Sequence, residues 1–198
     1  MKHSIENIAV IGTGVIGAGW IIRFLFNQKI ICVYDPQLKQ KKFLENEIKR
    51  AKPILKKIYK KNINLSKQLK FCKSIQEAVK NADLIQENAP ENEILKIKIV
   101  KEISKYAKKN TIIASSSSGL LPSKIQSQCL NPKRLIIAHP FNPVYLLPLV
   151  ELVPGKKTDK RFINKADKFY SNIGMKTLIL KKELPGYLSD RLQESMWR

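Results

Sequence analysis

Six residues near the N-terminus, Gly12-Thr13-Gly14-Val15-Ile16-Gly17, constrain the fold of this chain more tightly than any other stretch. They follow an apolar run, Ile8–Ile11, that reads as a buried strand, and they open Val15–Phe26, which reads as a helix. Glycines in this G-x-G-x-x-G pattern make a tight turn, let backbone approach a pyrophosphate, and let the helix pack on the strand. The pyrophosphate then meets the free N–H groups and the positive end of the helix. Asp35 closes the next apolar run, Ile30–Tyr34, about twenty residues further on. A carboxylate there accepts hydrogen bonds from the adenosine ribose hydroxyls and repels a 2′-phosphate, which favours NAD over NADP. The competing reading is a domain of this shape whose glycines serve packing alone.

The rest of the chain continues the alternation. A long amphipathic stretch from Gln37 to Lys61 reads as a helix or helix pair, and Phe71-Cys72 as a short strand. Ser74 and Glu77 have capping-box spacing and open a short helix. Strands are expected at Leu84–Gln86, Thr111–Ala114, Leu135–Ala138, Leu149–Val153 and Thr177–Leu180. Helices are expected from Glu93 to Lys108 and from a Thr158 cap to about Asn172. Such βαβ units predict an α/β, Rossmann-type, doubly wound and mostly parallel sheet with helices on both faces. Pro185-Gly186 is the natural break. The expected division is a nucleotide-binding domain over residues 1–184 and the start of a helical domain over 185–198. The last residues, Met196-Trp197-Arg198, carry no helix stop, so that second domain reads as only begun, or truncated.

Charge raises another possibility. Lys and Arg number 37 against 16 Asp and Glu, a formal net charge of +21. A nucleic-acid or anionic-membrane surface would carry such an excess, but so would a composition rich in Lys. Because the lysines are scattered over helix-like segments and Arg is rare, solvated helix faces account for them without a nucleic-acid partner. Three widely spaced cysteines, Cys32, Cys72 and Cys129, form no CxxC. They argue against a disulfide framework or a metal site and fit a reducing, cytoplasmic setting. The apolar stretch Ile8 to Phe26 has the length of a secretory leader, but glycines and Arg23 interrupt it, and no other run is long enough to span a membrane.

Two residues near later strand ends carry possible chemistry. His139 ends the Leu135–Ala138 strand, where an open α/β sheet places its ligands, and Glu151 lies in the next strand. Oxidising an alcohol needs a base for the hydroxyl proton, and histidine suits that task near neutral pH. A carboxylate beside it would orient the ring. Read alone, His139 is equally a satisfied core histidine and Glu151 a surface pair.

Longer motifs bear on the choice. The run Ser115-Ser116-Ser117-Ser118-Gly119-Leu120, then His139-Pro140-Phe141-Asn142-Pro143, then Glu151 and Pro185-Gly186-Tyr187 together resemble the 3-hydroxyacyl-CoA dehydrogenase superfamily. Within it, Glu87-Asn88-Ala89-Pro90-Glu91, the run from Ser115 to Ser123, the run from His139 to Glu151 and the tail from Gly186 to Arg198 are more similar to the L-carnitine dehydrogenase branch. The resemblance spans essentially the whole chain. It implies His139 as general base on a 3-hydroxyl, Glu151 as its partner and Ser118 as a hydrogen-bond donor to the substrate oxygen. It also implies Asn142 near nicotinamide and substrate, and Glu87 and Lys96 on the cofactor side. The implied reaction is NAD-dependent oxidation of L-carnitine to 3-dehydrocarnitine. Alternatives are another 3-hydroxy acid or 3-hydroxyacyl-CoA substrate, or an inactive NAD-binding fragment. A helical C-terminal domain would complete the cleft and make a homodimer in such enzymes. One departure stands out: Asp190 replaces the asparagine of the acyl-CoA enzymes. An anion there suits a trimethylammonium substrate, or simply pairs with Arg191. Phe141 and Tyr145 would present ring faces to the same cation, or belong to the core.

Overall fold

The computed structural model describes residues 4–60 and 68–198. Lys61, the expected end of the long helix, lies outside them. Among the described residues, eight strands form one sheet: β1 (Asn7–Ile11), β2 (Ile30–Tyr34), β3 (Leu69–Phe71), β4 (Leu84–Glu87), β5 (Ile112–Ser115), β6 (Leu135–Pro140), β7 (Leu149–Pro154) and β8 (Lys176–Ile179). The helices are α1 (Val15–Phe26), α2 (Lys39–Tyr59), α3 (Ile75–Val79), α4 (Glu93–Tyr106), α5 (Pro122–Ile125), α6 (Lys160–Asn172) and α7 (Ser189–Trp197).

The strand order is β3-β2-β1-β4-β5-β6-β7-β8. Every ladder is parallel except β6 with β7. That exception has a simple cause. The connection from Phe141 to Pro148 holds no helix and is too short for a crossover, so β7 must run back beside β6. As a result His139 and Glu151 become register partners on neighbouring strands, with their side chains on the same face.

The strands are apolar on both faces because both faces are covered. Ile8 and Val10 join one core cluster with Trp20, Phe24, Leu44, Phe162, Phe169 and Tyr170; Ala9 and Ile11 join the other with Val79, Val100, Ile103 and Ile125. Helices α1 and α6 cover the first face, where Trp20 stacks on Phe24 with centroids 5.3 Å apart. Helices α3, α4 and α5 cover the second. Helix α2 buries Leu44, Ala51 and Leu55, at helical spacing, and turns Lys41, Lys42, Lys49, Lys52, Lys56 and Lys57 outward. The basic excess is therefore carried in large part by solvated helix faces.

Caps follow the sequence with one correction. Ser74 accepts a hydrogen bond from the Glu77 amide at 3.1 Å, as the capping-box spacing requires. Helix α6 is capped by Asp159, not Thr158. The Thr158 hydroxyl is drawn inward instead, donating to the Leu135 carbonyl and accepting from the Gly155 amide. All three cysteines are free. Among the described residues, no helix is long and apolar enough to cross a membrane.

Candidate active site

The strand order reverses between β1 and β4, and the loops leaving their C-terminal ends form the crevice where such sheets receive ligands. Gly12 ends β1 with φ of +88°, and a Cβ there would come 2.8 Å from the Asn88 carbonyl oxygen. At Gly17 a Cβ would penetrate the Gly12 carbonyl group. The loop and helix thus approach more closely than any other residue permits. Gly14 is different: a Cβ would meet nothing within 4 Å, so its outer side is open. No side chain caps α1, and its first turn holds no acid. An open backbone and an uncapped helix N-terminus fit a pyrophosphate. Val15 is exposed and Ile16 is partly buried against the core.

Asp35 lies beside this loop. Its Oδ2 accepts hydrogen bonds from the Thr13 amide and hydroxyl at 2.8 and 2.9 Å, and its Oδ1 accepts from the Gln37 amide. The carboxylate is thereby fixed against the glycine loop at the end of β2 while remaining partly exposed. Its negative charge meets the requirement for ribose hydroxyls in place of a 2′-phosphate.

Glu87 and Lys96 occupy the layer beneath. Lys96 Nζ lies 3.0 Å from Glu87 Oε1, and their side chains are 1% and 0% exposed. Glu87 also accepts from the Ser115 hydroxyl and the Ala89 amide, and Lys96 donates to the Ala89 carbonyl. Every charge in this buried cluster is partnered, so it stiffens the exits of β4 and β5 and does not line the open surface. Glu91, to which the sequence motif alone assigns no role, is the acid that faces outward. Its Oε1 accepts from the Ser117 hydroxyl and from the Ser118 and Gly119 amides, the latter two at 3.0 Å. Burial pushes the Glu91 carboxyl up, but these donors and Lys96 outweigh it and hold it below the usual carboxylate range. Among the described residues, the Ser118 hydroxyl takes no part in the bonds that fix this loop.

At the next strand end, His139 Nδ1 lies 2.8 Å from Glu151 Oε2. The imidazole is 13% exposed and the carboxylate fully buried. Glu151 Oε1 accepts from the amides of Leu188 and Ser189 at 3.0 and 3.1 Å, and Oε2 accepts from the Ser189 hydroxyl at 2.7 Å. Burial pushes the Glu151 carboxyl up, but His139, Ser189 and the two amides pull it further down, so it is an anion at neutral pH. An ionised carboxylate only accepts, so Nδ1 carries the ring proton of neutral His139 and Nε2 is left as a free base.

Tyr187 joins these parts. It is buried, its ring centroid lies 5.6 Å from that of His139, and its hydroxyl donates to the Leu120 carbonyl at 2.7 Å. It therefore ties the serine loop to the His139–Glu151 pair. Phe141 flanks His139 on another side at 5.9 Å. Asn142 is exposed at the β6–β7 turn and begins a cis peptide with Pro143. Tyr145 packs against the small Ile22–Ala51–Leu55 cluster, the core alternative for this aromatic. Asp190 stands in the first turn of α7, its Cβ 3.2 Å from where a Gly186 side chain would begin, and it forms no ion pair with Arg191.

Residues 7–184 match the family model described as 3-hydroxyacyl-CoA dehydrogenase, NAD binding domain. The chain is 46% identical over 193 residues to L-carnitine dehydrogenase of Oceanobacillus iheyensis, covering 98% of this chain and 63% of that protein. It is 45% identical to L-carnitine dehydrogenase of Bacillus cereus, covering 100% and 60%. The chain thus spans about three fifths of the length of these curated relatives. The crystal structure of an NAD+-dependent dismutase, 5-formyl-3-hydroxy-2-methylpyridine 4-carboxylic acid 5-dehydrogenase, superposes with a TM-score of 0.90 at 28% identity, covering 98% of this chain and 63% of that one. With an uncapped glycine loop, an acid at the end of β2 and a match over most of its length, the chain belongs to the 3-hydroxyacyl-CoA dehydrogenase family through its NAD-binding domain.

Proposed function

We propose that this chain is the catalytic NAD-binding part of an enzyme that oxidises the 3-hydroxyl of L-carnitine to 3-dehydrocarnitine. The single observation that carries the chemistry is the His139–Glu151 pair, with Nδ1 committed to the carboxylate and Nε2 free. His139 takes the hydroxyl proton at Nε2, and Glu151 stabilises the resulting imidazolium. Ser118 offers its hydroxyl to the oxygen that becomes the carbonyl. NAD+, when bound, supplies the hydride acceptor. Gly12, Thr13, Gly14, Val15, Ile16 and Gly17 hold its pyrophosphate, Asp35 its adenosine ribose, and Asn142 borders the nicotinamide side. Glu87 and Lys96 support that side from beneath.

Carnitine is supported by the relatives' names and by the acid at position 190. Asp190 and the ring face of Phe141 suit a trimethylammonium group. In this reading residues 1–184 are the cofactor domain and 185–198 begin a helical domain that completes a cytoplasmic homodimer.

The test is NAD+ reduction with L-carnitine, followed by NADH absorbance, on this chain and its His139→Ala variant. The same assay is run on the chain joined to the C-terminal part of the Oceanobacillus relative. Turnover abolished by His139→Ala supports both substrate and base. Turnover of a 3-hydroxyacyl-CoA but not carnitine, in either form, overturns the substrate. NADH binding without turnover of any 3-hydroxy compound, even in the joined form, leaves a non-catalytic cofactor-binding unit.

A further inference from the structure

The Glu151 carboxylate is held from two directions. From β6 comes the imidazole of His139; from the opening of α7 come two amides and one hydroxyl, those of Leu188 and Ser189. The two amides engage Oε1. The Ser189 hydroxyl engages Oε2, the same oxygen that faces His139 Nδ1, at 2.7 Å against 2.8 Å. A carboxylate has about four acceptor sites, and here all are addressed. The donors from α7 lie 37 and 38 residues along the chain from Glu151. They arrive because Tyr187, in a left-handed conformation with φ of 47°, is buried beside His139 and turns the chain onto the site.

We propose that Ser189 is a positioning residue for the His139–Glu151 pair, and that through it the first turn of α7 holds the Glu151 carboxylate, as the anion, against His139 Nδ1. The proposal rests on the reading of His139 as general base. Its logic is electrostatic. A donor on Oε2 stabilises the anion and removes freedom from the carboxylate, so Nδ1 has one acceptor in one place. The two amides fix Oε1 at the same time, and the group cannot rotate away from the ring. Loss of the hydroxyl leaves Oε2 with the imidazole alone. Because α7 also carries Asp190, any movement of this helix would reach the proposed base and the proposed substrate contact together.

The ionisable group that faces Glu151 directly is His139 on β6, and Tyr187, packed beside His139, feels the charges of Glu151, Glu91 and Asp190. None of the acids or the phenol replaces the Ser189 hydroxyl as a donor to Oε2.

The experiment is carboxyl carbon NMR on the full 198-residue chain labelled at glutamate, with the Glu151 signal assigned by its absence in Glu151→Gln. It is run on the wild type, Ser189→Ala and Ser189→Thr. The expected result is that Ser189→Ala raises the Glu151 titration midpoint by about one pH unit or more, the scale of one hydrogen bond to an ion. Ser189→Thr, which keeps the hydroxyl, restores it. An unmoved midpoint in a folded Ser189→Ala chain overturns the proposal, as does a rise that Thr fails to reverse. Should the alanine variant not fold, Ser189→Cys keeps the shape with a weak donor and must show the same rise. The readout needs no turnover. Turnover of another 3-hydroxy compound but not of carnitine, in the chain and in its joined form alike, with a responsive Glu151, would remove the substrate assignment and leave this coupling standing.

Discussion

His139 Nδ1 and Glu151 Oε2 are 2.8 Å apart across the antiparallel ladder of an otherwise parallel sheet, and the carboxylate has no exposure to solvent. Burial demands that such an anion be fully partnered, and its donors all come from the site. The pair is therefore rigid before any substrate arrives. Replacing Glu151 with Gln keeps the shape but puts an amide where the anion was. We expect kcat for the 3-hydroxy substrate to fall by about 10²-fold or more, in the range assigned to general acid–base catalysis. NADH affinity, read by fluorescence titration, should not change. An equal loss of both would place Glu151 in the scaffold and not in the chemistry.

The same carboxyl predicts a pH dependence of stability. Its folded pKa is below the ordinary value, about 4.3 for a free glutamate. A lowered pKa contributes stability that is present above the unfolded value and is lost as pH falls through the folded one. Glu91 acts in the same direction. Thermal melts should therefore be flat near neutrality and fall below about pH 4. In Glu151→Gln the gap to wild type should be widest near neutral pH and shrink in acid. A gap that stays constant across the series would show that the variant's cost has nothing to do with charge.

Asp35 holds Thr13 by two hydrogen bonds and remains partly exposed. Asp35→Ala should weaken NADH binding by about tenfold or more, since one hydrogen bond to a charged group contributes about 1.5–3 kcal/mol. It should also narrow the preference against NADPH, because the repulsion of the 2′-phosphate is gone. Isothermal titration with both cofactors checks this. Unchanged NADH affinity would exclude Asp35 from the ribose site.

Much of this architecture is legible in the chain because its signals are local. The glycine loop, the strands around it and Asp35 declare themselves by period and spacing, and the Ser74 cap by a three-residue interval. What the sequence hides are partnerships made across the sheet. Glu91 reaches Ser117 and Glu87 reaches Ser115 because β4 and β5 are neighbours, not because of any spacing. Ser189 meets Glu151 where the buried Tyr187 packs beside His139, 38 residues along the chain from the acid. Lys96 looks like a solvated helix lysine in a chain rich in them. The acid four residues from the exit of β4 shows outward, while Glu87 takes the lysine inward. The Thr158 cap fails for a similar reason: the Leu135 carbonyl and Gly155 amide claim its hydroxyl, and Asp159 is left to cap.

That buried Lys96 yields a stability prediction. Lys96→Met preserves the length of the side chain but leaves Glu87 as a buried anion without its cation. Breaking such a pair from one side costs about 3–5 kcal/mol. Urea unfolding should show a loss of that size. Lys96→Met combined with Glu87→Gln should recover a good part of it, because no lone charge remains. A single variant as stable as wild type would mean that the Ser115 hydroxyl and the Ala89 amide suffice to hold the anion.

The three glycines of the loop separate packing from ligand approach, and alanine substitution at each tells the two apart. At Gly17 the new methyl would enter the Gly12 carbonyl, backbone that cannot yield without moving β1 against α1. At Gly12 it would press on the Asn88 carbonyl in a left-handed conformation that alanine disfavours by about 1–2 kcal/mol before any clash. Both variants should lose stability in urea, with Gly17→Ala the more damaged. At Gly14 the methyl would enter open space, so the folded chain should tolerate it with a change within about 0.5 kcal/mol. That open space is where the pyrophosphate must approach. Gly14→Ala should therefore keep its melting temperature and lose NADH affinity. If it binds NADH as wild type does, the opening above Gly14 is not the pyrophosphate site, and the glycines of this loop serve packing alone.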